Sequence, residues 1–471
     1  MNRRIVGSGI AVALAMAGLA GRADVVTGFR YGADERIRQE YFDHIPVKAD
    51  PPAFSRGGEN DYIRFRTRLW AEVDVVSNVT FRARLVNESR DWFYPDPTGK
   101  PQRSTSQWPE EWVFDNLYLE VRGLLDNSLD LRVGRQEMMY GNGRVIYDGT
   151  PGDGSRTLYF NAAKATWRGI PKTGLDFFGI YDPSEDQMAI HPSDRDLTGY
   201  TGCKEGVTES GAGLYATNGS IQNLPFEAYL IYKHESEYDV AAKTNASGAF
   251  VKPAFAWQTL DPKHKVVETP DFDVGTVGFR VMPVFSDTLS GNLEVAGQYG
   301  TRDGQDQHGY MVDAYLLQKL PGDMKPAVKA GVYCLSGDHP KTADDEGWDP
   351  LWARYPQTSE LLNYSWDSEQ SVVRWSNLIM PSLCLTFSPT KAITTKASVS
   401  YLAAFEADGS GGGKERGWLE SFRTDFTLAE DRFLPKDKLA GHVMVEVMEP
   451  GDYYKKNDTA VFARWEITYA F

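Results

Sequence analysis

The chain has 471 residues, a formal net charge of −15, 13% aromatic residues and 44 glycines, with a mean hydropathy of −0.43. So acidic a chain is no general binder of nucleic acid, and beyond its first residues no apolar run reaches the roughly 20 residues of a membrane helix. Three cysteines, Cys203, Cys334 and Cys384, give neither a disulfide framework nor a zinc spacing; a Cys334–Cys384 pairing stays open beside single thiols.

Arg3 and Arg4 precede an apolar run from Ile5 to Ala20 and the small-residue exit Gly21-Arg22-Ala23. This is the pattern of a secretory signal peptide cut after Ala23, so residues 1–23 are read as a signal and 24–471 as one domain. The mature chain is then either a large exported soluble protein or a β-barrel, whose alternating strands hide from hydropathy averages.

A first strand is expected over 30–43. The clearest alternation comes next: Ile63, Phe65, Thr67, Leu69, Ala71, Val73 and Val75 form a mostly apolar face, while Tyr62, Arg64, Arg66, Arg68, Trp70, Glu72 and Asp74 form the other. A period of two means a strand. Ser77-Asn78 leads directly into Phe81-Arg82-Ala83-Arg84-Leu85, which makes a hairpin. The same reading places strands at 60–76, 79–91, 112–125, 127–137, 155–169, 172–183, 211–218 and 224–237. The second half adds 271–282, 290–300, 308–319, 325–336, 372–388, 392–406, 415–430, 437–449 and 458–471, about 18 in all.

Short connections fall at Ser77-Asn78, Asp126-Asn127, Pro171-Lys172-Thr173, Asn218-Gly219, Ser286-Asp287, Pro321-Gly322-Asp323, Pro389-Thr390 and Pro435-Lys436-Asp437. Most of the intervening ones are longer, notably 92–111, 184–210, 238–270 and 337–371. This rhythm predicts an all-β fold: a transmembrane antiparallel up-and-down β-barrel with short periplasmic turns, long extracellular loops and both termini in the periplasm. The Gly-rich stretch Gly409-Ser410-Gly411-Gly412-Gly413 reads as a loop tip.

In the last strand Val461, Ala463, Trp465, Ile467 and Tyr469 share an apolar face and the chain stops at Phe471. This resembles the terminal strand of outer-membrane barrels, which the barrel-assembly machinery reads. Outer-membrane location and contact with its lipid are the resulting expectations.

If apolar faces meet lipid, the opposite faces line the lumen. Arg36, Arg38, Arg64, Arg66, Arg68, Arg82, Arg84, Arg122, Arg132 and Arg464 then point inward, with Glu72, Asp74, Glu88, Asn116, Tyr118, Glu120 and Asp130 among them. Guanidinium groups stay charged and fork onto carboxylate or phosphate, and arginine rings favour anion passage. Two readings stand here: a channel for anionic solutes, or Arg–Glu ladders that satisfy a packed interior in a closed barrel acting as adhesin or scaffold. On the first reading, Arg64, Arg66, Arg68, Arg82 and Arg84 form one patch, and exchanging Arg66 and Arg84 together for Glu reverses or abolishes the anion preference with folding intact.

The stretch Gly134-Arg135-Gln136-Glu137, Tyr140-Gly141 and Arg144-Val145 resembles the signature of the alginate export family of outer-membrane barrels. Phe114-Asp115-Asn116-Leu117-Tyr118-Leu119 upstream and Arg156-Thr157-Leu158-Tyr159-Phe160 downstream resemble its flanks. The resemblance implies an 18-stranded barrel with an electropositive lumen that carries alginate or another acidic saccharide, with a periplasmic export partner. It adds Arg135, Gln136 and Arg144 to the substrate-binding set. The chain departs from the family at Phe160-Asn161-Ala162, where the pattern has Phe-Asp-Gly.

Strict alternation from Leu131 and Val133 points Arg135 at lipid, which costs about 2–4 kcal/mol at the midplane. Either Arg135 sits above the apolar band or a bulge at Gly134 turns it inward; the bulge is the expectation. Seven scattered histidines and the lack of a Gly-x-Ser-x-Gly elbow point away from an enzyme, a metal or a cofactor. His44, His191 and His234 could lie near a barrel rim, with nothing in sequence to pair them. Asp303-Gly304-Gln305-Asp306 and Asp344-Asp345-Glu346 read as solvated loop acids rather than a calcium loop.

Overall fold

The computed structural model describes residues 28–46, 60–93, 112–147, 159–183, 188–190, 207–236, 238–241, 259–260, 266–269, 271–353, 358–362 and 375–471. The signal segment, Cys203, His191, Arg156-Thr157-Leu158 and parts of the long loops lie outside them.

Eighteen antiparallel strands close into a barrel. They are β1 (Gly28–Asp43), β2 (Asn60–Val76), β3 (Val79–Trp92), β4 (Trp112–Gly123), β5 (Leu129–Gln136) and β6 (Phe160–Trp167). Then come β7 (Thr173–Asp182), β8 (Glu209–Asn218), β9 (Phe226–Glu235), β10 (Phe272–Val281), β11 (Leu289–Arg302) and β12 (Gln305–Lys319). The last six are β13 (Ala327–Leu335), β14 (Leu378–Thr390), β15 (Ile393–Ala403), β16 (Glu415–Glu430), β17 (Lys438–Pro450) and β18 (Ala460–Ala470). Each pairs with its chain neighbours, and β18 closes on β1 with Glu466 opposite Arg38.

The expected strands are present, and one connection departs from the expected rhythm. β11 and β12 run on until only Asp303-Gly304 joins them, at φ 51° and 76°, the left-handed pair of a tight hairpin turn. Otherwise one end of the barrel carries the short turns and the other the long loops.

The polarity of the wall is inverted relative to a soluble protein. On β2, Arg64 and Arg66 are buried while Leu69 is 47% exposed; on β9, Tyr229, Ile231 and Lys233 are buried while Leu230 and Tyr232 are exposed. Phe29, Tyr31, Phe433 and Phe471 are exposed near the turn end, and Tyr181, Tyr232, Tyr299 and Trp418 toward the loop end. An apolar belt between aromatic girdles is what a wall facing hydrocarbon requires. No helix among the described residues is long and apolar enough to cross a membrane.

The expected bulge is displaced by one strand. Arg84 faces Asn116 but Leu85 faces Phe114, so Asp115 is the extra residue on β4, and both Asp115 and Asn116 are buried. At Gly134 the register runs unbroken against both neighbours. That glycine sits at φ +125°, and a Cβ there would lie 2.2 Å from the Leu117 carbonyl oxygen, so it permits close strand approach rather than a bulge. Arg135 keeps the parity of Val133. It escapes lipid because it lies at the loop end of β5, where Asn161 Oδ1 (3.0 Å), the Phe114 carbonyl (2.8 Å) and the Tyr159 ring (3.6 Å) cover it.

The Cys334–Cys384 pairing fails on register. Cys334 faces Ile379 and Cys384 faces Lys329, so both thiols are free.

At the turn between β16 and β17, Asp437 accepts hydrogen bonds from the backbone N–H of Arg432, Phe433 and Leu434 (2.8, 2.9 and 2.9 Å) and from the Tyr469 hydroxyl (2.9 Å). Desolvation raises the carboxyl's pKa, but these donors outweigh it and hold it below the ordinary range. A carboxyl depressed in the folded state stabilises above its unfolded value, about 3.9, and loses that contribution as pH falls through the lowered value. Asp437→Ala is therefore expected to lower the unfolding temperature in detergent at pH 7, with the gap to wild type narrowing below about pH 4.

Candidate pore site

The inward faces of β1, β2, β3 and β18 bring most of the expected arginines together, in two populations. Arg36, Arg38, Arg64, Arg66 and Arg464 in the loop-side half, and Arg84 near the middle of β3, are all buried. Register sets Arg36 directly opposite Arg66 and Arg38 opposite Arg64, an arrangement that repels unless acids intervene. They do. Arg64 binds Glu88 at 2.7 Å and Glu40 at 3.4 Å, Arg66 binds Asp34 at 3.1 Å, and Arg38 lies 3.2 Å from Glu40. Arg464 reaches Glu360 at 2.8 Å and also Glu40. Arg84 forks onto Asp115 at 2.8 and 2.9 Å and also binds Glu137. Gln136, likewise buried, donates to the carbonyls of Gly134 and Ala162.

Nearer the turns the cations emerge. The side chains of Arg68, Arg82, Arg132 and Arg122 are 17%, 19%, 28% and 45% exposed. Arg82 pairs with Glu72 and lies over Trp70; Arg132 pairs with Glu120 and lies over Tyr118. Tyr118 is the register partner of Arg82, so the two cation–aromatic pairs stand on neighbouring strands. Lys164 on β6 continues the ribbon.

Residues 137–147 leave β5 and traverse the inward faces of the opposite wall. Tyr140 stacks on Phe178 and on Tyr215 (centroids 5.4 and 4.4 Å), and its hydroxyl donates to Asp176 at 2.9 Å. Tyr215 and Tyr229 donate in turn to Glu227 and Glu294. Asn142 and Arg144 both reach Asp313 on β12, at 3.2 and 2.7 Å, and Arg144 lies over Tyr333 on β13. With Glu137 on Arg84 at one end and Arg144 on β12 at the other, the segment spans the lumen. It faces a wall of tyrosines and acids across from the basic ribbon.

A second loop folds in beside it. Trp352–Ala353 pairs with Ile146–Tyr147 in parallel. Buried Lys233 holds this loop, with Nζ 2.8 Å from Glu209, 2.8 Å from Glu235 and 2.9 Å from the Leu351 carbonyl. Gln298 bonds the backbone of Asp349 twice, and Glu446 accepts from Ser359 and from the Leu361 N–H. At the turn end a recess of about 320 Å³ is lined by Lys391, Arg423, Asp425, Lys438, His442 and Glu466.

Several of these residues are not legible from sequence alone. Tyr140 lies inside the Gly-Arg-Gln-Glu signature segment, whereas Lys233, Asp313 and Arg423 give no signal, because their partners are remote or sit on a neighbouring strand.

No family model matches the chain, and no curated protein matches it. Solved structures do. OccK3 (OpdO) of Pseudomonas aeruginosa is 10% identical, the match covering 96% of this chain and 98% of that one at a TM-score of 0.54. OpdQ of the same organism is 11% identical over 96% and 99% at 0.53, and OccK5 (OpdH) 11% over 94% and 98% at 0.53. The fold is that of the outer-membrane porins. At this identity the likeness carries the barrel architecture; alginate as cargo does not follow from it.

Proposed function

We propose that the chain is an outer-membrane channel for anionic solutes, with acidic saccharides such as uronates as the favoured class. The observation that carries this reading is the partly exposed ribbon Arg68, Arg82, Arg122 and Arg132, facing a narrowed lumen. An exposed guanidinium over an aromatic ring offers a fork to a carboxylate and a face to a sugar. In this reading Arg36, Arg38, Arg64, Arg66, Arg84, Arg135, Gln136, Arg144 and Arg464 act behind the ribbon, fixing the wall and the loop that narrow the path. The two inward loops favour small acidic solutes over a polymer. Export of alginate itself would need a wider path and a periplasmic partner, and β18 with its terminal Phe471 would be the segment that the assembly machinery reads.

A second reading, a closed barrel acting as adhesin or scaffold, is favoured by the buried attachment of the loop at Lys233. Planar bilayers separate the two. Anion-selective current that uronate oligomers block and neutral oligosaccharides do not is expected, and a silent barrel would favour the second reading. The double variant Arg82→Glu, Arg132→Glu should stay folded and lose or reverse the anion preference, since lumen substitutions tune selectivity more than stability.

A further inference from the structure

Among the described residues, one group brings three metal-ligating atoms within 4.8 Å of one another: His234, Asp271 and Asp273. His234 and Asp273 are direct register partners on β9 and β10, although 39 residues separate them in sequence. Asp271 lies two residues before Asp273, so the period of two puts both carboxylates on the same face. That face is the outer one, because the intervening Lys233, Glu235 and Phe272 are buried inward. His234 Nδ1 stands 3.1 Å from Asp273 Oδ1 and 3.8 Å from Asp271 Oδ1. The side chains remain 33%, 36% and 52% exposed in the order His234, Asp273, Asp271, so an ion has access.

We propose that His234, Asp271 and Asp273 form a divalent metal site on the outer wall at the loop end, selecting a first-row ion such as Zn²⁺. Ligand atoms about 2.0–2.2 Å from one zinc lie roughly 3–3.5 Å apart; His234 and Asp273 already stand at 3.1 Å, and Asp271, at 3.8 Å from His234, has to draw in by a few tenths of an ångström. A ladder pair fixes two of the ligands before the metal arrives. An imidazole nitrogen favours zinc over calcium or magnesium, which take all-oxygen shells. Tyr232, on the same outer face, donates its hydroxyl to Asp273 and orients that carboxylate as an outer partner. Water or an anionic headgroup oxygen can complete the coordination. Because the site faces away from the lumen, it stands whether or not the pore reading does.

Calorimetric titration of the tag-free, detergent-solubilised full chain with Zn²⁺ tests it. One saturable site per chain is expected, with Ca²⁺ and Mg²⁺ at least about tenfold weaker. His234→Ala and Asp273→Asn should each weaken Zn²⁺ by about 10- to 100-fold or more, and Tyr232→Phe by about tenfold, the range of an outer-partner loss. Asp271→Asn, outside the ladder, removes a ligand without touching strand pairing and keeps the test valid if a strand variant misfolds. Absence of saturable binding, or Zn²⁺ affinity unchanged in folded His234→Ala or Asp271→Asn, overturns the proposal.

Discussion

Exchanging Arg66 and Arg84 together for Glu is expected to cost the barrel its fold, not only its selectivity. Arg84 is buried and forks onto Asp115 while also holding Glu137. A glutamate there would set three carboxylates against one another at the bulge that positions β4. Arg66 pairs with Asp34 and faces Glu88 in register, so a second acidic cluster would form one strand away. Removing one partner of a buried ion pair costs about 3–5 kcal/mol, and two such sites approach the roughly 5–15 kcal/mol of a domain's whole stability. Loss of heat-modifiable gel mobility and of β-type circular dichroism would be the readout. A folded double variant with inverted selectivity would instead mean that these arginines face open solvent, as strand alternation alone suggests.

Lys233→Met should open the pore. The substitution leaves Glu209 and Glu235 facing each other without their shared cation and removes the donor to the Leu351 carbonyl. The local cost is again about 3–5 kcal/mol, but the loop can lift and let water reach the glutamates, so the penalty falls on loop attachment rather than on the ladder. Single-channel recordings are expected to show a higher mean conductance with flicker between levels, in a barrel whose heat-modifiability is kept. Unchanged conductance in a folded variant would mean that the loop is held by its other contacts, chiefly Gln298 on Asp349 and Glu446 on residues 359–361.

The sequence by itself determined the strand number, the alternation of short turns with long loops and the inward parity of Arg64, Arg66 and Arg68. Each of these depends on a period of two or on turn residues, which are local properties. Tertiary structure decided which arginines are open. Arg66 and Arg82 have the same inward parity, yet one is buried among acids from neighbouring strands and the other is partly exposed, because burial depends on height along the barrel and on what folds in above. It also moved the bulge from Gly134 to Asp115, since a register shift belongs to a pair of strands and not to either alone. The partners of Arg144, Lys233 and His234 lie on strands brought together by barrel closure and register, and no spacing within one segment encodes them.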